Sequence, residues 1–109
     1  MTYQEIMSMM TEIDLPFAYH HFAEGESPEP PFAVFLFPSS DNFGADNKVW
    51  KKINTLHIEL YTDAKAPDIE AQVEAVLDAH ELFYDKTEVW IDSERLYEVL
   101  YDMEVIQDE

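Results

Sequence analysis

The sequence predicts one α+β domain, a mostly antiparallel sheet of four or five strands packed by two helices in the order α-β-β-β-α-β-β. Three observations predict it. Two stretches, near residues 2–14 and 67–80, carry apolar residues at helical spacing. Several others are short apolar runs or alternate apolar with polar, the mark of strands. One helix falls between two strand groups, so both helices can cover one face of a common sheet. At 109 residues the chain has the common size of a single domain, spanning 1–109, with no internal repeat and no low-complexity segment.

The first helix begins at a capping box, with Thr2 accepting from the third helical amide and Glu5 reaching back. Ile6, Met9, Met10 and Ile13 form its apolar stripe, and Asp14-Leu15-Pro16 closes it because the residue before proline avoids helical angles. Phe17 to Phe22 (FAYHHF) reads as a short aromatic strand, and AEGESPEPP after it as a loop stiffened by three prolines. The unbroken apolar run Phe32 to Phe37 (FAVFLF) is expected to be a strand buried on both faces. Pro38 to Asn47 (PSSDNFGADN) reads as a second polar loop, with Phe43 near its tip.

Lys48 to Tyr61 is read as one half-buried strand, with Leu56, Ile58 and Leu60 facing one way and Thr55, His57 and Glu59 the other. Pro67 suits a first helical position, Asp68 and Glu70 suit the positive helix end, and Ile69, Val73, Val76 and Leu77 make the stripe. Glu88 to Asp92 and Leu96 to Val105 are expected to form a closing hairpin that turns at Asp92-Ser93-Glu94.

Composition narrows the function. Six Lys and Arg against 24 Asp and Glu give a formal charge of −18, and residues 1–47 contain no Lys or Arg. Lys48, Lys51 and Lys52 are the one basic cluster. Such a surface repels phosphates, which argues against direct nucleic-acid binding and against anionic membranes. Without cysteine, disulfides, thiolate nucleophiles and Cys-based zinc sites are excluded. The opening MTYQEIMSMM carries an acid where a signal peptide needs a basic region, and no apolar run has the length of a membrane span. The expectation is a cytoplasmic protein, unless a larger particle carries it out.

No catalytic, metal or cofactor signature stands out. His20 and His21 are adjacent, so on a strand they point to opposite faces, and His57 and His80 lack metal-motif neighbours. Glu98, Asp102 and Glu104 form an acidic row of a kind that 24 acids generate by chance on an alternating strand. Tyr97, Val99 and Tyr101 read as core. The loops read as contact surfaces: Glu24, Glu26, Glu29, Pro30 and Pro31 in the first, and Asp41, Asn42, Phe43 and Asp46 in the second, with Lys48, Trp50, Lys51 and Lys52 at its border; for Phe43 the equal alternative is a side chain tucked back onto the domain. The function expected is structural or interactive rather than enzymatic.

The opening helix, DLPFAYHHF, PPFAVFLFP, SSDNFGADNK, INTLHIELYTDAKAPDIEAQVEAVLD and the closing LYEVLYDMEV together resemble the small tail-completion proteins of long-tailed phages, the tail-terminator and head–tail joining group of prophage morphogenesis clusters. The resemblance spans nearly the whole chain and rests on shape and composition rather than on an active-site motif. It implies a minor virion protein that self-associates into a ring, commonly sixfold, between the tail tube protein and the head connector protein. It implies localisation at the head–tail junction, with assembly in the host cytoplasm, and brings no catalytic residue or cofactor with it. The alternative is a soluble acidic inhibitor that mimics DNA and occupies the basic groove of a host nucleic-acid-binding protein.

Overall fold

The structure, a computed structural model, describes residues 1–40, 42–45 and 48–106, with 43–45 and 49–51 described by their backbone alone. Helix α1 (Tyr3–Ile13) starts at the expected capping box, Thr2 accepting from the Glu5 amide at 3.1 Å and Glu5 accepting from the Thr2 amide at 3.3 Å. It ends where Asp14 turns left-handed, at φ 65°. Ile6, Met9, Met10 and Ile13 are buried, each stabilising by roughly 1.5–3 kcal/mol, so packing outweighs the cap, worth about 1 kcal/mol.

Strands β1 (Phe17–Tyr19), β2 (Phe32–Leu36), β5 (Ile53–Thr62), β6 (Tyr84–Ile91) and β7 (Leu96–Ile106) form one sheet in the spatial order β1-β2-β5-β7-β6, with helix α2 (Pro67–Ala79) between β5 and β6. Only β1–β2 is parallel; every other neighbouring pair in this sheet is antiparallel. This is the predicted α+β class, and the five strands and two helices follow the predicted order. β5 and β7 are the spine, paired residue for residue from Ile53↔Ile106 to Thr62↔Tyr97.

Register divides the residues between two faces. Ala33 and Phe35, then Leu56, Ile58 and Leu60, then Val99, Tyr101, Met103 and Val105 share the face packed under both helices. The helices are also tied to each other: Gln72 Nε2 donates to the Ile13 carbonyl at 2.5 Å, and His80 Nε2 lies 2.8 Å from Glu12. The other face, with Val34, His57, Glu59, Tyr61, Glu98, Leu100 and Asp102, has no helix on it. β2 is buried almost throughout, as its apolar run predicts.

Several boundaries differ from the sequence reading. The first strand ends at Tyr19, because His20 turns to φ 66°. The expected single strand 48–61 is two, β4 (Lys48–Lys51) and β5, and the second loop contains β3 (Phe43–Ala45). β3 and β4 pair with each other as a separate two-stranded ribbon. β2 stops at Leu36, and among the described residues the strands beyond the Ser40↔Asn54 bridge, β3 and β4, pair with each other. β6 begins at Tyr84 rather than near 88, since β7 is long enough to offer partners from Leu96 to Met103.

Candidate interaction surface

The two loops singled out from sequence flank β2, and therefore lie at opposite ends of the sheet. The proline loop, 20–31, enters β2 beside the Phe32↔Tyr61 pair. The ribbon segment, 38–52, leaves from the end where Ile53 meets Ile106. At about 3.3 Å per residue the ten-residue β5 holds these ends about 30 Å apart. The molecule measures 49 × 29 × 23 Å.

The proline loop folds over the helix-free face. Phe22 meets Phe32 edge-on at 5.4 Å between ring centroids, and Phe32 stacks on Tyr61 at 5.2 Å. Between this loop and the β6–β7 turn lies a groove of about 550 Å³. Phe32, Tyr61, Ile91 and Leu96 supply its apolar surface, Pro28 and Pro30 line it from the loop, and Asp63, Glu94 and Arg95 bring charge. Of the predicted contact residues, Pro30 lines the groove, while Glu24, Glu26 and Glu29 stand exposed in the same loop and Pro31 is half-buried.

Beneath the groove Tyr61 joins two carboxylates, its hydroxyl 2.8 Å from Glu59 Oε1 and 3.1 Å from Glu98 Oε2. A single hydroxyl proton serves one of them at a time. Burial, then the Glu59 hydrogen bond, pushes the tyrosine far above its ordinary pKa, so it stays a donor. Burial and the Glu59 charge raise Glu98 above the usual carboxylate range. Sequence reading passed over Tyr61, although an aromatic on the Thr55, His57 and Glu59 side of an alternating strand was the available signal.

At the ribbon end, Lys48 and Lys52 are exposed, and no ion pair joins either to another described residue. Asn42 accepts from the Ile53 amide at 3.2 Å through its side-chain oxygen, fastening the base of the ribbon. The backbones of Phe43, Trp50 and Lys51 lie in β3 and β4, and their side chains fall outside the description. Asp41 and Asp46 lie outside the described residues.

Two of the remaining cations are consumed inside the fold. Lys65 pairs with Glu70 and Glu88, both at 2.6 Å, and Lys86 pairs with Glu70 and Glu74, both at 2.7 Å. Burial works against the Glu70 charge, but hydrogen bonds from Lys65 and Lys86 outweigh it and hold the carboxyl below the ordinary range. Tyr101, fully buried, donates to Glu74 at 2.8 Å.

The histidines do not meet as a group. Because β1 ends early, His20 and His21 touch, their Nδ1 atoms 3.0 Å apart, which corrects the expectation of opposite faces on a strand. His57 sits 3.2 Å from Asp102, and His80 belongs to the interhelical tie. Glu98, Asp102 and Glu104 share the helix-free face, but Glu98 bonds Tyr61 while Asp102 bonds His57, so the row is not a cluster. Among the described residues no set of three His, Cys, Asp or Glu is placed to hold a metal ion, and no helix is long and apolar enough to cross a membrane. A smaller hollow of about 400 Å³, lined by Glu81, Asp85, Asp102 and Glu104 with Leu82, Phe83 and Met103, sits beside the start of β6. What the surface offers is an acidic, proline-walled end and a lysine-bearing ribbon end on one rigid sheet. No protein-family model matches the chain, and no curated protein matches it either.

Proposed function

We propose that the protein is a phage virion structural component acting at the head–tail interface, as a ring subunit that terminates the tail or joins it to the head. The observation that supports this reading most is the separation of two unlike contact segments to opposite ends of one sheet. A subunit with unlike ends associates head to tail, and head-to-tail contacts close into a ring when the rotation permits. A charge of −18 suits a ring through which DNA slides, because repelled phosphates do not stick to the lumen. On this reading the partners are further copies of the chain, six in the ring, together with the tail tube protein and the head connector protein. The chain carries out no reaction and needs no cofactor, and it resides in the virion after assembly in the host cytoplasm.

The test is electron microscopy of particles made by the encoding phage after deletion of this gene. Filled heads lying apart from tails are expected, with overlong tails marking a terminator and tails of normal length a joining protein. Intact, infectious virions would overturn the reading. They would favour the acidic DNA mimic, for which the shared face of Glu98, Asp102 and Glu104 is the relevant feature.

A further inference from the structure

The groove beside the proline loop is apolar within and mainly acidic around it. Phe32, Tyr61, Ile91 and Leu96 line it, and Asp63 and Glu94 stand exposed beside it. Arg95 is the one cation lining it among the described residues, and the neighbouring loop adds Glu24, Glu26 and Glu29. A matching occupant is a projecting element with cations on it. The chain has six Lys and Arg. Lys65 and Lys86 are locked in ion pairs beside α2, and Arg95 lines the groove itself. The other three, Lys48, Lys51 and Lys52, lie in β4 or directly after it, on the two-stranded ribbon.

We infer that the β3–β4 ribbon of one copy docks in the groove between the proline loop and the β6–β7 turn of a second copy, through its lysines and the acidic rim. Opposite signs favour this register: groove against groove would oppose carboxylates, whereas Lys48, Lys51 and Lys52 outnumber Asp41 and Asp46 in the ribbon segment and meet an acidic rim. A ribbon cannot reach its own groove, because β5 holds the two about 30 Å apart. The contact is therefore heterologous: every copy offers one ribbon and one groove, and each docking leaves one of each free. The proposal rests on the ring reading for its biological setting, whereas the contact itself is tested on the purified chain alone.

Two double variants on exposed positions carry the test, Lys48→Glu/Lys52→Glu on the ribbon and Asp63→Lys/Glu94→Lys on the groove rim. Sedimentation velocity at physiological salt reads the oligomer, and far-UV circular dichroism checks that each variant is folded. The wild-type chain is expected to associate at high concentration and each double variant to remain monomeric. The groove variant is the discriminating one. It is less negative than the wild type, so if net charge alone governed association it would assemble more readily. Mixing the two double variants is expected to restore assembly, because the acidic ribbon then meets the basic rim and the native ribbon the native rim. The quadruple variant, which has the wild-type net charge of −18, is expected to assemble by itself. A wild-type chain that stays monomeric at its highest soluble concentration overturns the inference. So do double variants that associate like the wild type, or a mixture that stays monomeric. Any of these leaves the phage reading to the gene deletion, which does not depend on which surfaces touch.

Discussion

Glu70 shows how one residue can serve the fold in a way its sequence context conceals. Its place in the first turn of a helix reads as a favourable charge at the positive end. The structure adds that it is buried and neutralised by two lysines, Lys65 from the preceding loop and Lys86 from β6. Nothing in the spacing of these three residues announces the cluster, because β6 reaches α2 only through the pairing of β6 with β7. Glu70→Gln is expected to destabilise the domain by about 1–2 kcal/mol at neutral pH. The lower figure is favoured because both lysines are partly exposed and can be resolvated. The carboxyl is depressed in the folded state, so its contribution is complete above the ordinary carboxylate range and is lost as pH falls through the lower folded value. Urea denaturation at a series of pH values should therefore show wild type and variant converging in acid, and a gap that persists there would contradict the assignment. Glu98 acts in the opposite sense, since its raised value makes the folded state bear a cost once it ionises.

Among the elements, those with a sharp periodicity were legible and those without were not. α1 was readable to its cap because Thr2, Glu5 and the four apolar residues name every feature of it. α2 was readable from Pro67 and its stripe, and the hairpin turn near Asp92 from the polar residues between two alternating runs. The ribbon was not, because alternation runs on through Lys52 and carries no mark of the point where β4 stops pairing with β3 and β5 begins pairing with β7. Nor was the groove, which is made by residues distant in sequence, Pro28 and Tyr61 and Leu96, meeting only after the sheet forms. The ribbon's backbone forms a sheet of its own, separate from the five strands that carry the core. Replacing residues 41–52 with an Asn-Gly turn is therefore expected to leave stability within roughly 0.5 kcal/mol and the unfolding transition cooperative. The same variant should remain monomeric where the wild type associates. A thermal melt and sedimentation of the one sample check both halves.

For the whole molecule, charge is the dominant quantity, and its amount was legible while its arrangement was not. A formal −18 on a body 49 Å long places carboxylates within each other's field on every side. Raising NaCl from about 20 to about 200 mM shortens the screening length from roughly 20 to roughly 7 Å. Repulsion among like charges then outweighs in number the few ion pairs weakened at the same time, so the melting temperature is expected to rise with salt. A calorimetric scan in which it falls would mean that the Lys65 and Lys86 network, rather than the general excess of acid, sets the electrostatic balance.

The long β5–β7 ladder has a consequence for how this chain can vary in length. Its side chains alternate between a core face and an open face over ten paired positions. One residue added or lost within either strand would exchange the two sets, sending Tyr101 and Met103 outward and Asp102 and Glu104 inward. Insertions and deletions are thereby confined to the sheet's two ends, where the proline loop and the ribbon lie. The segments free to lengthen or shorten are the same ones that present the groove and the lysines, so the surfaces proposed to join copies can drift while the fold beneath them stays fixed.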